Sequence, residues 1–193
     1  MADGSNFSGA ANAGLLRLFA PDYGAVAERD VYRRHLVAGE RARTEGLATV
    51  ITGRRAVLDD LALFHTRDYV EALRTGEPEG VASSGGTWFP GLLDLGMAVL
   101  GAFLDAIDAA LQHGVSGMLG GGGHHAEPGR GGALSPVNDL GIGVHYLRRR
   151  VRRVMIVDLD VHFGNGTAAG FPDDAELFLF DYHGHAAGLH RPT

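Results

Sequence analysis

An α/β sandwich built on a mainly parallel sheet is the fold class this sequence predicts, and three observations predict it. Short apolar runs recur at residues 15–19, 47–51, 115–119, 154–157 and 177–180. Helically patterned segments lie between them, the alternation that builds strand–helix–strand units. The run at 154–157 is apolar without a break, as expected of a central parallel strand. Ligands of such folds gather at the C-terminal ends of the strands, where this chain carries its densest set of histidines and carboxylates.

Composition sets the bounds. At 193 residues, 45% of them hydrophobic, the chain can bury one sizeable core, so one domain over residues 15–193 is expected. A formal charge of −6 argues against a nucleic-acid partner, because phosphate binding is driven by clustered cations. The absence of cysteine excludes disulfides and thiolate chemistry, leaves His, Asp and Glu as the only metal donors, and fits a cytoplasmic setting. Residues 1–14 lack the basic start and apolar run of a signal peptide and read as a short disordered leader. The one candidate membrane span, 92–111, is interrupted by Asp94, Asp105 and Asp108 and leaves about half of the ~20 uncharged residues a bilayer requires, so no membrane partner is expected.

The elements follow in order. Pro21 ends the first strand. Residues 26–45, rich in Ala, Glu and Arg, predict a helix stopped by Gly46, and 47–51 a small strand. Residues 57–73 read as two short helices broken around His65 and Thr66, with Thr66 or Asp68 as the cap of the second; His65 reads as a core or surface histidine. Residues 75–91 are the loosest segment, a long loop with an exposed-looking Trp88-Phe89 pair near a binding rim. In 92–112, Leu92, Leu95, Val99, Phe103, Ile107 and Leu111 form one packing stripe at a spacing of three or four, and Gly114 supplies the C-terminal cap. A brief strand at 115–119 runs into four glycines. Residues 138–149 predict a helix whose Gly141 and Gly143 permit close packing against a sheet. The arginines at 148, 149, 150, 152 and 153 lie at that helix's C-terminus, where cations complement the macrodipole.

Residues 120–166 carry the chemistry. Asp158, Asp160 and His162 alternate, so in an extended strand they face one side and Asp160 with His162 can chelate one ion, of which zinc suits the donors best and iron or manganese also fits. Gly164, Asn165 and Gly166 mark a tight turn where backbone passes close to another group. The glycine run before His124 is no phosphate loop, since two histidines and no lysine follow it. His124 and His125 can divide one reaction between them, one activating a metal-held water and the other supplying a proton to the leaving group. Their second ring nitrogens need partners, for which Asp158 and Asn165 are the candidates.

The sequence GGGGHHAEP, then SPVND, then IVDLDVHFGNGTAAGF and LFLFDYH, resembles the histone deacetylase family, including its bacterial acetoin-utilisation and acetylpolyamine-deacetylase-like members, from about Val57 to His183. The resemblance implies an arginase-like three-layer α/β/α fold and zinc-dependent hydrolysis of an acyl-amide, an acylated lysine or a small acetylpolyamine. On it, Asp160 and His162 are metal ligands and His124 and His125 the tandem proton-transfer pair. Asp158 orients His124 and Asn165 orients His125. Gly132 and Leu134 line the substrate tunnel. Asp158, Asp160, His162, Asp181 and Tyr182 correspond to a structural monovalent-cation site, suited to potassium.

Several positions depart from the family pattern. Asn165 stands where many relatives carry aspartate, and an amide adds no negative charge, so His125 should favour its neutral form. Ala133, Leu134 and Ser135 replace a Gly-Phe-Cys-like stretch, which puts Leu134 where an aromatic wall is expected. Gly86 or its neighbour takes the place of a rim aspartate. The family's third metal ligand, an aspartate, and its transition-state tyrosine come from a C-terminal half expected after Thr193. A sheet without that half is expected to expose an edge prone to self-association. The readings that follow are a metal-dependent deacetylase, a non-catalytic binding or assembly module on the same fold, and, third, a dinuclear ureohydrolase of the related arginase type.

Overall fold

The computed structural model describes residues 16–24 and 30–184; the expected leader, the start of the first helix and the chain after Gly184 lie outside them. Five strands and seven helices occur among the described residues. Strands β1 (Leu16–Ala20), β2 (Ala48–Thr52) and β3 (Gly117–Met118) form a parallel sheet in the order β2-β1-β3. Strands β4 (Val154–Asp158) and β5 (Leu177–Asp181) form a parallel pair. The expected strand at 115–119 contracts to two residues; Val115 is exposed, while the Leu119 amide still donates to Phe19 O.

Helices α1 (Asp30–Thr44) and α5 (Leu92–His113) sandwich the first sheet. Phe19, Ile51 and Met118 pack on Ala102, Ala106 and Ala109 of α5. Val50 and Leu119 instead lie beside Gly39 of α1. Neighbouring strand residues face opposite ways, so the two helices lie on opposite faces of the sheet, in three layers.

The six-residue stripe expected on α5 is only partly its buried face. Leu92 and Ile107 are buried, but Leu95, Val99 and Phe103 are half-buried and Leu111 is 42% exposed. Burial runs around most of the helix because it serves two cores: its alanines meet the sheet, while Leu93, Leu100 and Leu104 enter the main cluster with Leu61, Tyr69, Leu73 and Ile142. Each such leucine contributes roughly 1.5–3 kcal/mol. Gly114 (φ 86) caps the helix through its amide to Ala110 O. Among the described residues no helix is long and apolar enough to cross a membrane.

Helices α2 (Leu58–Leu61) and α3 (Arg67–Thr75) flank His65, and the Thr66 side chain caps α3 by accepting from the Tyr69 amide. The loop after α3 is tighter than expected. It holds one helical turn, α4 (Glu79–Ala82), and the Trp88 indole donates to Leu73 O at 2.8 Å, which seats the ring half-buried against the core. In α6 (Asp139–Leu147), Gly141 and Gly143 face Phe64 and Phe103 rather than a sheet. Four of the five arginines that follow are spoken for: Arg148 pairs with Asp174, Arg150 with Asp108 and Arg152 with Glu176, and Arg149 lies over Tyr146.

The β4–β5 pair departs most from expectation. Val154, Ile156 and Leu177 pack on the core. The opposite face leaves Met155, Val157, Phe178 and Phe180 between 45% and 60% exposed, in the register pairs Met155–Phe178 and Val157–Phe180. The run at 154–157 is therefore covered on one side only among the described residues.

His65 is 3% exposed. Its Nε2 accepts the Asn138 amide at 2.9 Å, and Nδ1–H donates to Pro128 O at 3.3 Å. Burial pushes its pKa down to about 4, against the pull of backbone carbonyls. The unfolded chain gains a proton here below pH ~6.5 while the folded chain stays neutral to about pH 4. Stability is therefore full above pH ~6.5 and falls toward pH 4, by about 3 kcal/mol from this residue. Urea melts across that range should show this loss in the wild type and not in His65→Gln.

Candidate functional site

Two adjacent histidines need four ring nitrogens satisfied, and the chain supplies partners from two distant segments. After β3 the chain turns through Gly120–Gly123 to His124 and His125, which are 6% and 8% exposed with ring centroids 4.1 Å apart. His124 Nδ1–H donates to Asp158 Oδ2, at the end of β4, at 2.7 Å. His125 Nδ1–H donates to Asn165 Oδ1, at the start of α7 (Asn165–Gly170), also at 2.7 Å. Both rings are thereby held in the tautomer that leaves Nε2 for a reactant, neutral as a base or protonated as an acid.

The segment after β4 is not extended. The Asp160 amide bonds Asp158 Oδ1 and the His162 amide bonds Asp160 Oδ1, so the chain curls at each aspartate. Curling, not strand alternation, brings Asp160 and His162 together: His162 Nδ1 lies 2.9 Å from Asp160 Oδ1, and His124 Nε2 lies 3.8 Å from the same oxygen. The His162 amide, then its ring and the nearby His124, hold the Asp160 carboxyl below its ordinary range. Gly164–Gly166, expected as a tight turn, instead opens α7; a Cβ at Gly166 would lie 2.4 Å from the His125 carbonyl carbon, so the close approach is to the dyad itself.

A cavity of about 570 Å³ borders these groups, lined by His124, His125, Asp160 and His162 on one side and by Leu95, Val99, Tyr32 and Arg34 on another. Ala133 and Leu134 also line it, while Gly132, half-buried, is not among its lining residues; a Cβ there would meet His125 O at 2.5 Å. Gly132 and Ser135 exchange backbone hydrogen bonds of 3.1 and 2.7 Å around Ala133 (φ 35) and Leu134 (φ 67). This is a two-residue hairpin turn of the kind that favours Asn-Gly, and it thrusts Leu134 out to 88% exposure. A Cβ at Gly86 would lie 3.9 Å from the Leu134 side chain.

Asp158 and Asp181 are register partners, the Tyr182 amide donates to Asp158 O, and Asp181 Oδ2 accepts the Gly164 amide. The Tyr182 side chain is 74% exposed. Asp160 and His162 offer oxygen and nitrogen donors of the kind zinc, iron or manganese takes. They are about half exposed, and among the described residues no three His, Asp or Glu side chains converge as a metal-holding group. The pair fits two positions of a ligand set.

Sequence reasoning missed Asn138, Asp139 and Thr167, which pack behind the dyad. Asp139 is 2% exposed and accepts the Gly122 and Gly123 amides; burial pushes its carboxyl up against their pull. An asparagine standing just before a helix signals a cap, and the Asn138 side chain accepts the Gly141 amide.

Fold and site together define a parallel α/β domain with a paired-histidine centre at its strand ends. The chain belongs to the histone deacetylase family: the profile of the histone deacetylase domain matches residues 29–190. An uncharacterized protein of Picosynechococcus is 38% identical over 127 residues, 64% of this chain and 42% of that one. The acetoin utilization protein AcuC of Bacillus subtilis is 27% identical over 147 residues, covering 69% of this chain and 38% of its own. An HDAC homolog from Aquifex aeolicus superposes with a TM-score of 0.71 at 23% identity, over 88% of this chain and 51% of that one, which places the fold in the arginase/deacetylase class. The chain thus spans about half the length, or less, of the proteins it matches. Family membership implies a metal cofactor in general terms.

Leu134 at φ 67 carries a left-handed strain of about 1–2 kcal/mol that glycine lacks. Part of that gain is offset by glycine's greater unfolded-state freedom. Leu134→Gly should stabilise the fold by about 0.5–1 kcal/mol, read as a thermal midpoint higher by roughly 1–4 °C.

Proposed function

We propose that this chain carries the proton-transfer half of a metal-dependent hydrolase of acyl-amides, with an acetyl-lysine or acetylpolyamine as substrate. The observation that carries the reading is the paired anchoring of His124 and His125 at 2.7 Å through Nδ1. In amide hydrolysis water adds to the acyl carbon, the C–N bond breaks, and the amine leaves with a proton. One Nε2, neutral, takes the proton of the attacking water and the other, protonated, gives its proton to the departing amine, so the pair holds one such proton before and after, moved from one ring to the other. Asp158 stabilises the imidazolium when His124 is charged, and Asn165 orients His125 without adding charge. Asp160 and His162 would hold the metal, zinc first and iron or manganese next, which when bound polarises the acyl carbonyl and makes water more acidic. Leu134 and the turn above Gly132 would flank the acyl chain in an aliphatic mouth. Asp158, Asp160, His162, Asp181 and Tyr182 would hold a potassium ion, whose charge would brace the curled segment. The cysteine-free composition supports a cytoplasmic setting.

A second reading, a binding or assembly module without turnover, is favoured by the half-exposed Asp160 and His162 and the lack of a third convergent donor among the described residues. Metal analysis with an acetyl-lysine and acetylpolyamine assay separates the two. Stoichiometric zinc, with turnover falling at least a hundredfold in His125→Ala, supports the hydrolase. A folded, metal-free and inactive protein supports the module.

Self-association was expected at a sheet edge; the β4–β5 face offers a broader surface. We propose that a second copy covers Met155, Val157, Phe178 and Phe180, because parallel sheets are ordinarily covered on both faces. Sedimentation should show concentration-dependent dimers that Phe178→Glu abolishes; monomers at every concentration would overturn this.

A further inference from the structure

We propose that Asn138 and Asp139 form a positioning clamp that fixes the His124–His125 backbone from both sides. The proposal rests on reading those histidines as the reacting pair. Ahead of the dyad, Asp139 Oδ1 accepts the Gly123 amide at 2.7 Å, and Oδ2 accepts the Gly122 amide at 2.9 Å. Behind it, Asn138 Nδ2 donates to Ala126 O at 2.8 Å and to Thr167 Oγ1 at 3.0 Å. The Thr167 amide in turn donates to His124 O at 3.0 Å. Two backbone groups on the four residues from Gly123 to Ala126 are thus bonded directly by one dipeptide at the head of α6, and a third, His124 O, is held by Thr167, whose side chain Asn138 bonds.

The chemistry of the two side chains matches the task. A carboxylate accepts from two successive amides at once through both oxygens, whereas an asparagine there would turn a donor toward one of them. Asn138 does the reverse on its side, donating with Nδ2 while its Oδ1 accepts the Gly141 amide and caps α6. Its own amide is held by His65 Nε2, so the clamp is anchored to a buried ring across the core. A Cβ at Gly123 would lie 1.8 Å from Val137 O, which shows how closely the glycine loop is drawn onto this segment.

The capping and clamping roles of Asn138 are separable. Asn138→Ser keeps a good helix cap but has no nitrogen to reach Ala126. Asp139→Asn keeps one acceptor and loses the other. In both variants the imidazole Nδ1–H resonances of His124 and His125, set downfield by the 2.7 Å bonds to Asp158 and Asn165, should shift or broaden while melting stays cooperative. Where the wild type turns over, kcat should fall on the order of tenfold to a hundredfold with KM within about twofold, as expected for a small misplacement of reacting groups. A wild type without turnover defeats the hydrolase reading alone, because the resonances still report on the clamp. Folded variants with both resonances unmoved overturn the proposal. If neither variant folds, amide exchange in the wild type decides: slow exchange at Gly122 and Gly123 supports the clamp, and exchange as fast as in an exposed turn overturns it.

Discussion

Two imidazoles side by side in a buried site have to be hydrogen-bonded at their inner nitrogens, and most of the central region follows from meeting that demand. A ring nitrogen left without a partner in the interior costs on the order of 1–3 kcal/mol. Asp158 and Asn165 meet it from the end of a strand and the start of a helix, which requires the β4–α7 segment to curl back over the dyad. That return brings backbone against backbone. Only glycine fits at 166, where any side chain would strike the His125 carbonyl. The sheet, the glycine loop and the curled segment are consequences of one packing problem.

The sequence was legible where a single local rule decides the outcome. The apolar runs found the strands, Thr66 and Gly114 marked helix ends through capping chemistry, and the need of two histidines for ring-nitrogen partners pointed to Asp158 and Asn165, which the family resemblance assigned to His124 and His125. It was illegible where burial depends on what lies on the far side of an element. The 92–113 helix carries an apolar stripe, but its alanines are as deeply buried as its leucines because a sheet sits against them. Alternation in the Asp158–His162 segment suggested an extended strand; the aspartates instead capture the amides two residues on, a local competition that side-chain periodicity does not report. Asp139 was passed over for a related reason. An acid at the first turn of a helix reads as a dipole effect, and nothing in its own neighbourhood reveals the glycine amides 16 and 17 residues away.

The two halves of the constellation differ in how far they are built. The histidine dyad is buried, doubly anchored and walled by backbone, so it loses little freedom when a reactant arrives. Asp160 and His162 stand about half in solvent and satisfy each other at 2.9 Å. That bond occupies His162 Nδ1 and Asp160 Oδ1 and leaves His162 Nε2 and Asp160 Oδ2 available to a third group. The same curl that aims the dyad's partners therefore holds the metal pair together at the edge of solvent. The exposed face of β4–β5 lies on the strand pair whose β4 leads directly into them. β4 also ends in Asp158, the anchor of His124, so both halves of the site stem from the strand whose outer face is uncovered among the described residues.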